Sequence, residues 1–375
     1  MLDLIGSAGD PTRPLWCIGR DYGREEAERG EPFVGEAGGR LMAALRAAGL
    51  RREDVFIDNV VRKQPPGNDW KKHAPGDREH GAERLHSLCW HFRPKVVIAF
   101  GNEALEAIVG RYVGRYDLPP ITEARGYLWD APWGGLIMAS VHPAAIDRRG
   151  QGGLPWVPYR VLLDMDVRKA VAALDGAARP TRETRVVVSD AIAAEMWDEI
   201  ARAMQEWGGV EGGREQRGHE QRVGATLALD IENTADLALA CVGIAVSPSL
   251  AYVLPASRED DIARLCALDA AKALQNGAYD RYFLSRYCGL DLRGHIFDTM
   301  LAWHALQPEL AGRKIESKRH KRTEKGLRFL ASVYTNDAFW KSYDFATDED
   351  RYELCGRDCM VTLDVARTMA RQLEA

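Results

Sequence analysis

Four carboxylates stand out in the second half of this 375-residue chain. Asp230 and Glu232 sit two apart in L-A-L-D-I-E-N-T (227–234), Asp280 closes N-G-A-Y-D, and Asp358 lies in G-R-D-C-M-V-T-L. Residues two apart on a strand share a face, so the apolar run ending in Asp230 and Glu232 points both acids the same way. Like charges held that close are costly unless a cation lies between them. Mg²⁺ or Mn²⁺ takes oxygen ligands of this kind, and a two-metal site supports phosphodiester hydrolysis.

The elements that position these acids follow from the hydrophobic pattern. Residues 237–247 and 249–254 read as strands that form a meander with the first. Residues 262–274 read as a helix, Asp280 stands at a helix entrance, Asp298 opens another helix, and 327–334 forms a further one. A last helix over about 350–373 carries Asp358. Upstream, apolar runs at 15–19, 55–61, 95–100 and 135–141 alternate with helical segments at 40–50 and 159–174. Alternation of this kind predicts a parallel sheet covered by helices, with functional loops at the carboxyl ends of the strands. The stretch 175–184 is small, polar and proline-containing, which places a first domain at 1–175, a linker at 176–184 and a second domain at 185–375.

Composition narrows the function. A hydrophobic fraction of 46% and a charged fraction of 28% are those of an ordinary soluble protein, and the net charge of −5 requires any nucleic-acid contact to come from local patches. The basic run R-K-I-E-S-K-R-H-K-R-T-E-K (313–325) is one such patch, with Lys318, Arg319, Lys321 and Arg322 as candidate phosphate contacts; Arg148 and Arg149 form another. Seven scattered cysteines without a C-x-x-C pair argue for reduced thiols. With no signal-like start and no apolar run of membrane length, a cytoplasmic protein without a membrane partner is expected.

The loops of the first half carry an ordered set of motifs. Gly19…Gly23…Pro32-Phe33-Val34-Gly35 is followed by Asn59-Val60-Val61…Pro65-Pro66…Asn68 and then by His142-Pro143. Over residues 12–175 this order resembles the uracil-DNA glycosylase superfamily, family 4 most of all. The resemblance implies that Phe33 stacks on an extruded base, that Asn59 hydrogen-bonds its edge and that His142 lies near its O2. Glycosidic cleavage leaves an anionic base and a cationic sugar, and such a set suits both. Family 4 places a glutamate where this chain has Arg20; Asp21 matches the water-positioning aspartate of family 1, so Asp21 is the expected catalytic acid. Family 4 also holds an iron–sulfur cluster on four cysteines. Lys63 and about His80 occupy matching positions here, so no cluster is expected.

The second half, over 181–375, resembles the DEDD 3′–5′ exonucleases, above all the proofreading domain of family A DNA polymerases. The matching pieces are L-D-I-E-N-T, N-x-x-Y-D, D-T-M-L, L-x-x-L-A and D-x-x-V-T-L. The resemblance implies a ribonuclease H-like α/β fold with a mixed sheet, and two Mg²⁺ or Mn²⁺ ions on Asp230, Glu232, Asp280 and Asp358. A tyrosine that positions water in that family falls at Leu354, with Tyr352 two residues away. The combined expectation is a DNA-processing enzyme acting on uracil-containing DNA, on single strands or at 3′ ends.

Overall fold

Two sheets organise the chain, each in its own unit: residues 1–179 with 336–339, and 180–335 with 340–375. The computed structural model describes residues 3–113, 118–147, 157–176, 178–208, 225–308, 310, 314–316, 321–323, 326–339 and 347–374. Residues 336–339 were expected in the second domain but cluster with the first, where Phe339 meets Tyr127 edge-on at 5.3 Å.

The first unit is built on β1 (Leu15–Asp21), β2 (Phe56–Val61), β3 (Val96–Phe100), β4 (Leu128–Asp130) and β5 (Leu136–Ser140), in the order β2-β1-β3-β5-β4. All neighbours run parallel except β4, a short antiparallel edge. The helices are α1 (Arg24–Arg29), α2 (Glu36–Ala47), α3 (Pro75–Phe92), α4 (Asn102–Val113), α5 (Ile121–Ala124) and α6 (Val157–Ala173). Helix α1 interrupts what the glycine pattern suggests is one continuous loop. Alternation along β1 feeds two cores: Leu15 and Cys17 pack with Leu41, Leu45, Leu163 and Val167, while Trp16 and Ile18 pack with Leu85, Leu88, Leu105 and Ile108. With both faces covered, the central strands read as unbroken apolar runs. The chain reverses across the sheet at β1, which opens a crevice at the carboxyl ends of β1 and β3.

The second unit contains β6 (Glu183–Val186), α7 (Asp190–Gly208), β7 (Leu227–Asn233), β8 (Leu239–Ser247), β9 (Leu250–Pro255), α8 (Glu259–Ala267), β10 (Lys272–Leu274) and α9 (Gly277–Phe283). It continues with β11 (Ile296–Asp298), α10 (Thr299–Leu306), β12 (Lys314–Glu316), β13 (Lys321–Thr323), α11 (Leu327–Tyr334) and α12 (Asp348–Glu374). The main sheet is mixed, in the order β11-β10-β7-β8-β9-β6, with β7, β8 and β9 antiparallel and β10 parallel to β7. The parallel sheet expected from the pattern of the first half and the mixed sheet implied by the resemblance of the second are thus present.

One element differs. The helix expected over 262–274 stops at Ala267, and Lys272–Leu274 pairs with both β7 and β11. Lys272 joins a strand because its buried ammonium donates to three carbonyls, those of Leu268 (2.5 Å), Ala270 (3.4 Å) and Arg293 (2.8 Å). Among the described residues no helix is long and apolar enough to cross a membrane.

Candidate active sites

At the carboxyl ends of the first unit's strands lies a cavity of about 280 Å³. Its walls include Arg20, Asp21, Glu26, Phe33, Asn59, Asn68 and His142, so the structure brings together all four residues expected there from the sequence. Three of them stand on β1, β2 and the turn after β5; Phe33 comes from the loop between α1 and α2. Phe33 is held in the left-handed region (φ 52°), with its carbonyl bound by Arg52 Nη1 at 3.1 Å. Its ring lies nearly parallel to His142, with centroids 5.8 Å apart and planes at 23°. The Ala144 N–H donates to His142 Nδ1 at 3.1 Å, which makes Nδ1 an acceptor and leaves Nε2–H as the donor. Asn59 is buried, and its Oδ1 has no hydrogen-bond partner among the described residues. A buried polar atom left unpaired costs free energy unless a ligand supplies the partner.

Asp21 is clamped from both sides. Arg20 Nε donates to its Oδ1 at 2.8 Å, and His73 Nε2 lies 3.0 Å from its Oδ2, with the two side chains only 4% and 3% exposed. Arg20, the residue that replaces the family's glutamate, also reaches the Asn68 carbonyl at 3.4 Å. Tyr22 donates to the carbonyls of Gly6 and Gly30 and so fixes the loop. His73 and Glu26 carry no periodic or motif signal in the sequence. Glu26 accepts the Gly35 N–H at 3.0 Å and ties α1 to the Phe33 loop.

The residues at the expected cluster positions do not suit an iron–sulfur centre. Lys63 is paired with Asp77 at 2.9 Å, and His80 is exposed. The unit's two thiols, Cys17 and Cys89, belong to the cores on opposite faces of the sheet. Burial pushes both up, Cys17 to about 12.

In the second unit Asp230 pairs in register with Gly243 and Glu232 with Cys241, while Asp280 is buried on α9 and Asp358 half-buried on α12. The acids act on one another. Burial raises Asp230 well above the carboxylate range, and Asp280, Asp358 and Glu232 raise it further. Burial likewise raises Glu232, against the pull of Arg351. Asp280 is pushed up to about 7 by burial, with Asp298 and Glu232 adding to it and backbone N–H groups opposing. The donor set is all oxygen, the preference of Mg²⁺ or Mn²⁺. Among the described residues, however, no three His, Cys, Asp or Glu side chains stand close enough together to hold a metal ion.

Behind Asp230 lie three buried thiols. Cys355 Sγ is 3.8 Å from the Asp230 carbonyl, and a Cβ on Gly243 would come within 2.8 Å of Cys355 Sγ and 2.6 Å of Cys359 Sγ. Tyr352 packs against Cys241, Val253 and Cys355, and the charges its phenol senses are Asp348, Arg351 and Glu349 rather than the four acids. The phenol beside the acids is that of Tyr279, which donates to Asn233 Oδ1 at 2.7 Å and senses Asp280 and Glu232. Asp298 is a capping residue, accepting from Met300 N–H at 2.8 Å and Gly277 N–H at 2.9 Å. Arg148, Arg149, Lys318 and Arg319 lie outside the described residues; Lys321 and Arg322 stand on β13, whose backbone alone is described.

A mostly parallel, doubly covered sheet presents an acid, an aromatic ring, an amide and an imidazole at its strand ends to one small cavity, an α/β domain with its site at the strands' carboxyl ends. Residues 7–159 match the family model of the uracil DNA glycosylase superfamily. The chain belongs to that superfamily. It is 31% identical over 182 residues to the type-4 uracil-DNA glycosylase of Archaeoglobus fulgidus, covering 48% of this chain and 85% of the relative. It is 34% identical over 176 residues to that of Thermotoga maritima, covering 44% and 80%. Among solved structures, Brucella melitensis NrnC with bound Mg²⁺ aligns with 40% of this chain and 73% of its own at 18% identity and a TM-score of 0.32. The EXD2 exonuclease domain soaked in Mn and GMP aligns with 51% and 95% at 14% identity and a TM-score of 0.25.

Proposed function

We propose that the chain is a bifunctional DNA-processing enzyme: the first unit recognises and excises uracil or a related base, and the second is a metal-dependent 3′–5′ exonuclease. For the first unit the carrying observation is the unpartnered Oδ1 of Asn59 on the wall of a base-sized cavity. In that cavity Phe33 offers a ring to the extruded base and Asn59 reads its edge. The C1′–N1 bond breaks with its electron pair passing to N1, and Nε2–H of His142 steadies the anion at O2. A water oriented by Asp21 adds to C1′ and gives up its proton to that carboxylate.

For the second unit the support is the placement of Asp230 and Glu232 two apart at the end of β7, where burial and the nearby Asp280, Asp358 and Glu232 raise Asp230. Asp230, Glu232, Asp280 and Asp358 would have to draw closer together than they stand here to hold Mg²⁺ or Mn²⁺, which would supply water activation and stabilisation of the leaving 3′ oxygen. Tyr279 orients the scissile phosphate, a role supported by its hydrogen bond to Asn233 and by the charges of Asp280 and Glu232 that its phenol senses.

A second reading has one specific support. Both oxygens of Asp21 are already engaged, by Arg20 and His73, which suits a module that reads the base without excising it. One assay decides. Labelled single- and double-stranded DNA containing uracil is incubated with chelator or with Mg²⁺, then treated with alkali. Alkali-dependent cleavage at uracil in chelator is the expected result for excision, and a ladder that needs metal is expected for the exonuclease. No alkali-dependent cleavage would leave only the base-reading module; no ladder would remove the nuclease.

A further inference from the structure

Three tyrosines crowd one short exposed stretch. Among the described residues Tyr279 (44% exposed), Tyr282 (60%) and Tyr287 (49%) are three of the ten large apolar side chains that stand well out in solvent. All belong to α9 and to the wider turn that continues it over Leu284–Cys288. That turn is a π-helix, a feature found mostly as single turns at functional sites. On an α-helix residues five apart point roughly 140° away from each other. The i→i+5 repeat of the π-turn instead lays them on one side, and Tyr282 and Tyr287 accordingly meet edge to face at 6.3 Å. The same repeat relates Arg281 to Arg286, whose guanidinium lies 5.9 Å from the Tyr287 ring centre. Both arginines are exposed, and neither has an ion-pair partner among the described residues. A groove of about 620 Å³ runs along this face, lined by Ala278, Arg281, Tyr282, Ser285, Asp291 and Leu292.

The face shares a helix with one of the acids but not its side: Asp280 is buried, and Tyr282, two residues on, projects roughly 200° around the axis from it into solvent. The hydroxyl of Tyr279 is tied to Asn233 at the end of the strand that carries Asp230 and Glu232. From Tyr279 to Tyr287 the helix extends about 12 Å, room for roughly three nucleotides of a single strand. Alternating aromatic and cationic groups match such a strand: bases stack on rings whatever their identity, and arginines take the phosphates. A groove built to take a protein would want an aliphatic centre, and this one has a single leucine.

We propose that the Tyr282–Tyr287 face, with Arg281 and Arg286, is a platform on the outer side of α9 that grips single-stranded DNA whose 3′ end reaches the four acids. The proposal rests on the exonuclease reading for its polarity, but binding to the face is measurable without hydrolysis.

The test uses the full-length protein in chelator and labelled thymidine oligonucleotides, from dinucleotide to octanucleotide and longer, followed by fluorescence anisotropy. Tyr282→Ala with Tyr287→Ala should weaken octanucleotide binding about fivefold to a hundredfold. The gap from wild type should widen from dinucleotide to octanucleotide and then level off. Tyr282→Phe with Tyr287→Phe, which keeps both rings, should bind within about twofold of wild type, and an unchanged melting temperature excludes unfolding. Arg281→Gln with Arg286→Gln should weaken binding and flatten its salt dependence. Alanine variants that bind every length as wild type does overturn the platform. A loss confined to oligouridylate RNA overturns the assignment to DNA. If wild type degrades no DNA with Mg²⁺ or Mn²⁺ while the alanine variants still lose binding, the nuclease reading falls and the platform stands.

Discussion

Replacing Gly19 by alanine should disable base excision while leaving the chain folded. Gly19 on β1 pairs with Asn59 on β2. A Cβ there would stand 2.2 Å from Asn59 Oδ1 and 2.6 Å and 2.7 Å from the edge of the Phe33 ring. Ordinary contact needs about 3.4–4 Å, so both groups must retreat by roughly 1 Å. The Phe33 backbone cannot take up that movement. Its carbonyl is held by Arg52, and a Cβ on Gly38 would already lie 1.9 Å from the same oxygen, which shows how closely α2 approaches. The ring must therefore turn out of its place against His142, and the Asn59 amide must swing. Overpacking of this kind costs about 1–3 kcal/mol, and a misplacement of about 1 Å lowers a reaction rate by roughly a hundredfold. Single-turnover excision from uracil-containing DNA and thermal melting read the two effects. Gly39→Ala is the control: it lies within α2 with nothing within 4 Å, and should stabilise by about 0.5–1 kcal/mol without affecting excision. A folded Gly19→Ala protein that excises at the wild-type rate would refute the assignment of Phe33 and Asn59 as the walls that hold the base.

Three further outcomes are expected. His73→Leu should slow excision about 10–100-fold with little change in affinity for uracil-containing DNA, and His73→Gln, which keeps a donor for Asp21, should recover most of it; equal rates for the leucine variant and wild type would leave His73 only a packing role. Asp280, 4% exposed, is raised from its ordinary 3.8 to about 7, so the folded chain holds a proton that the unfolded chain has released. Stability in chelator should fall as pH rises from about 4 to 7, by about 4 kcal/mol at roughly 1.4 kcal/mol per pH unit. Asp280→Asn should therefore be the more stable protein at pH 8 but not at pH 4, with Mg²⁺ narrowing the gap; denaturant titrations showing the same gap at both pH values would contradict this. Gly243→Ala, which would press on the Cys355 and Cys359 sulfurs, should destabilise the second unit by about 1–3 kcal/mol and lower its nuclease rate, as melting and ladder assays would show; a variant as stable as wild type would mean that α12 yields at no cost.

Much of this arrangement is legible from residue order alone. The buried parallel strands announce themselves as apolar runs because both their faces are covered, and Asp230 and Glu232 close such a run. Short elements whose pairing is decided by tertiary contacts escape such reading. β10 and β11 have three residues each, and a lysine in the first becomes tolerable only when three carbonyls surround its ammonium. His73 reaches Asp21 across 52 positions of chain from an irregular loop, so no spacing rule points to it. The direction of Tyr352 depends on where α12 lies against β8 and β9, and the pairing of Tyr282 with Tyr287 depends on a π-turn that no sequence period signals.

The most direct test of two separate chemistries on one chain is to assay the same uracil-containing DNA with two single-site variants, Asn59→Leu and Asp230→Asn. The account predicts that Asn59→Leu loses alkali-dependent cleavage at uracil yet keeps the metal-dependent ladder, and that Asp230→Asn does the reverse. Loss of both activities from either substitution, in protein that remains folded, would contradict it.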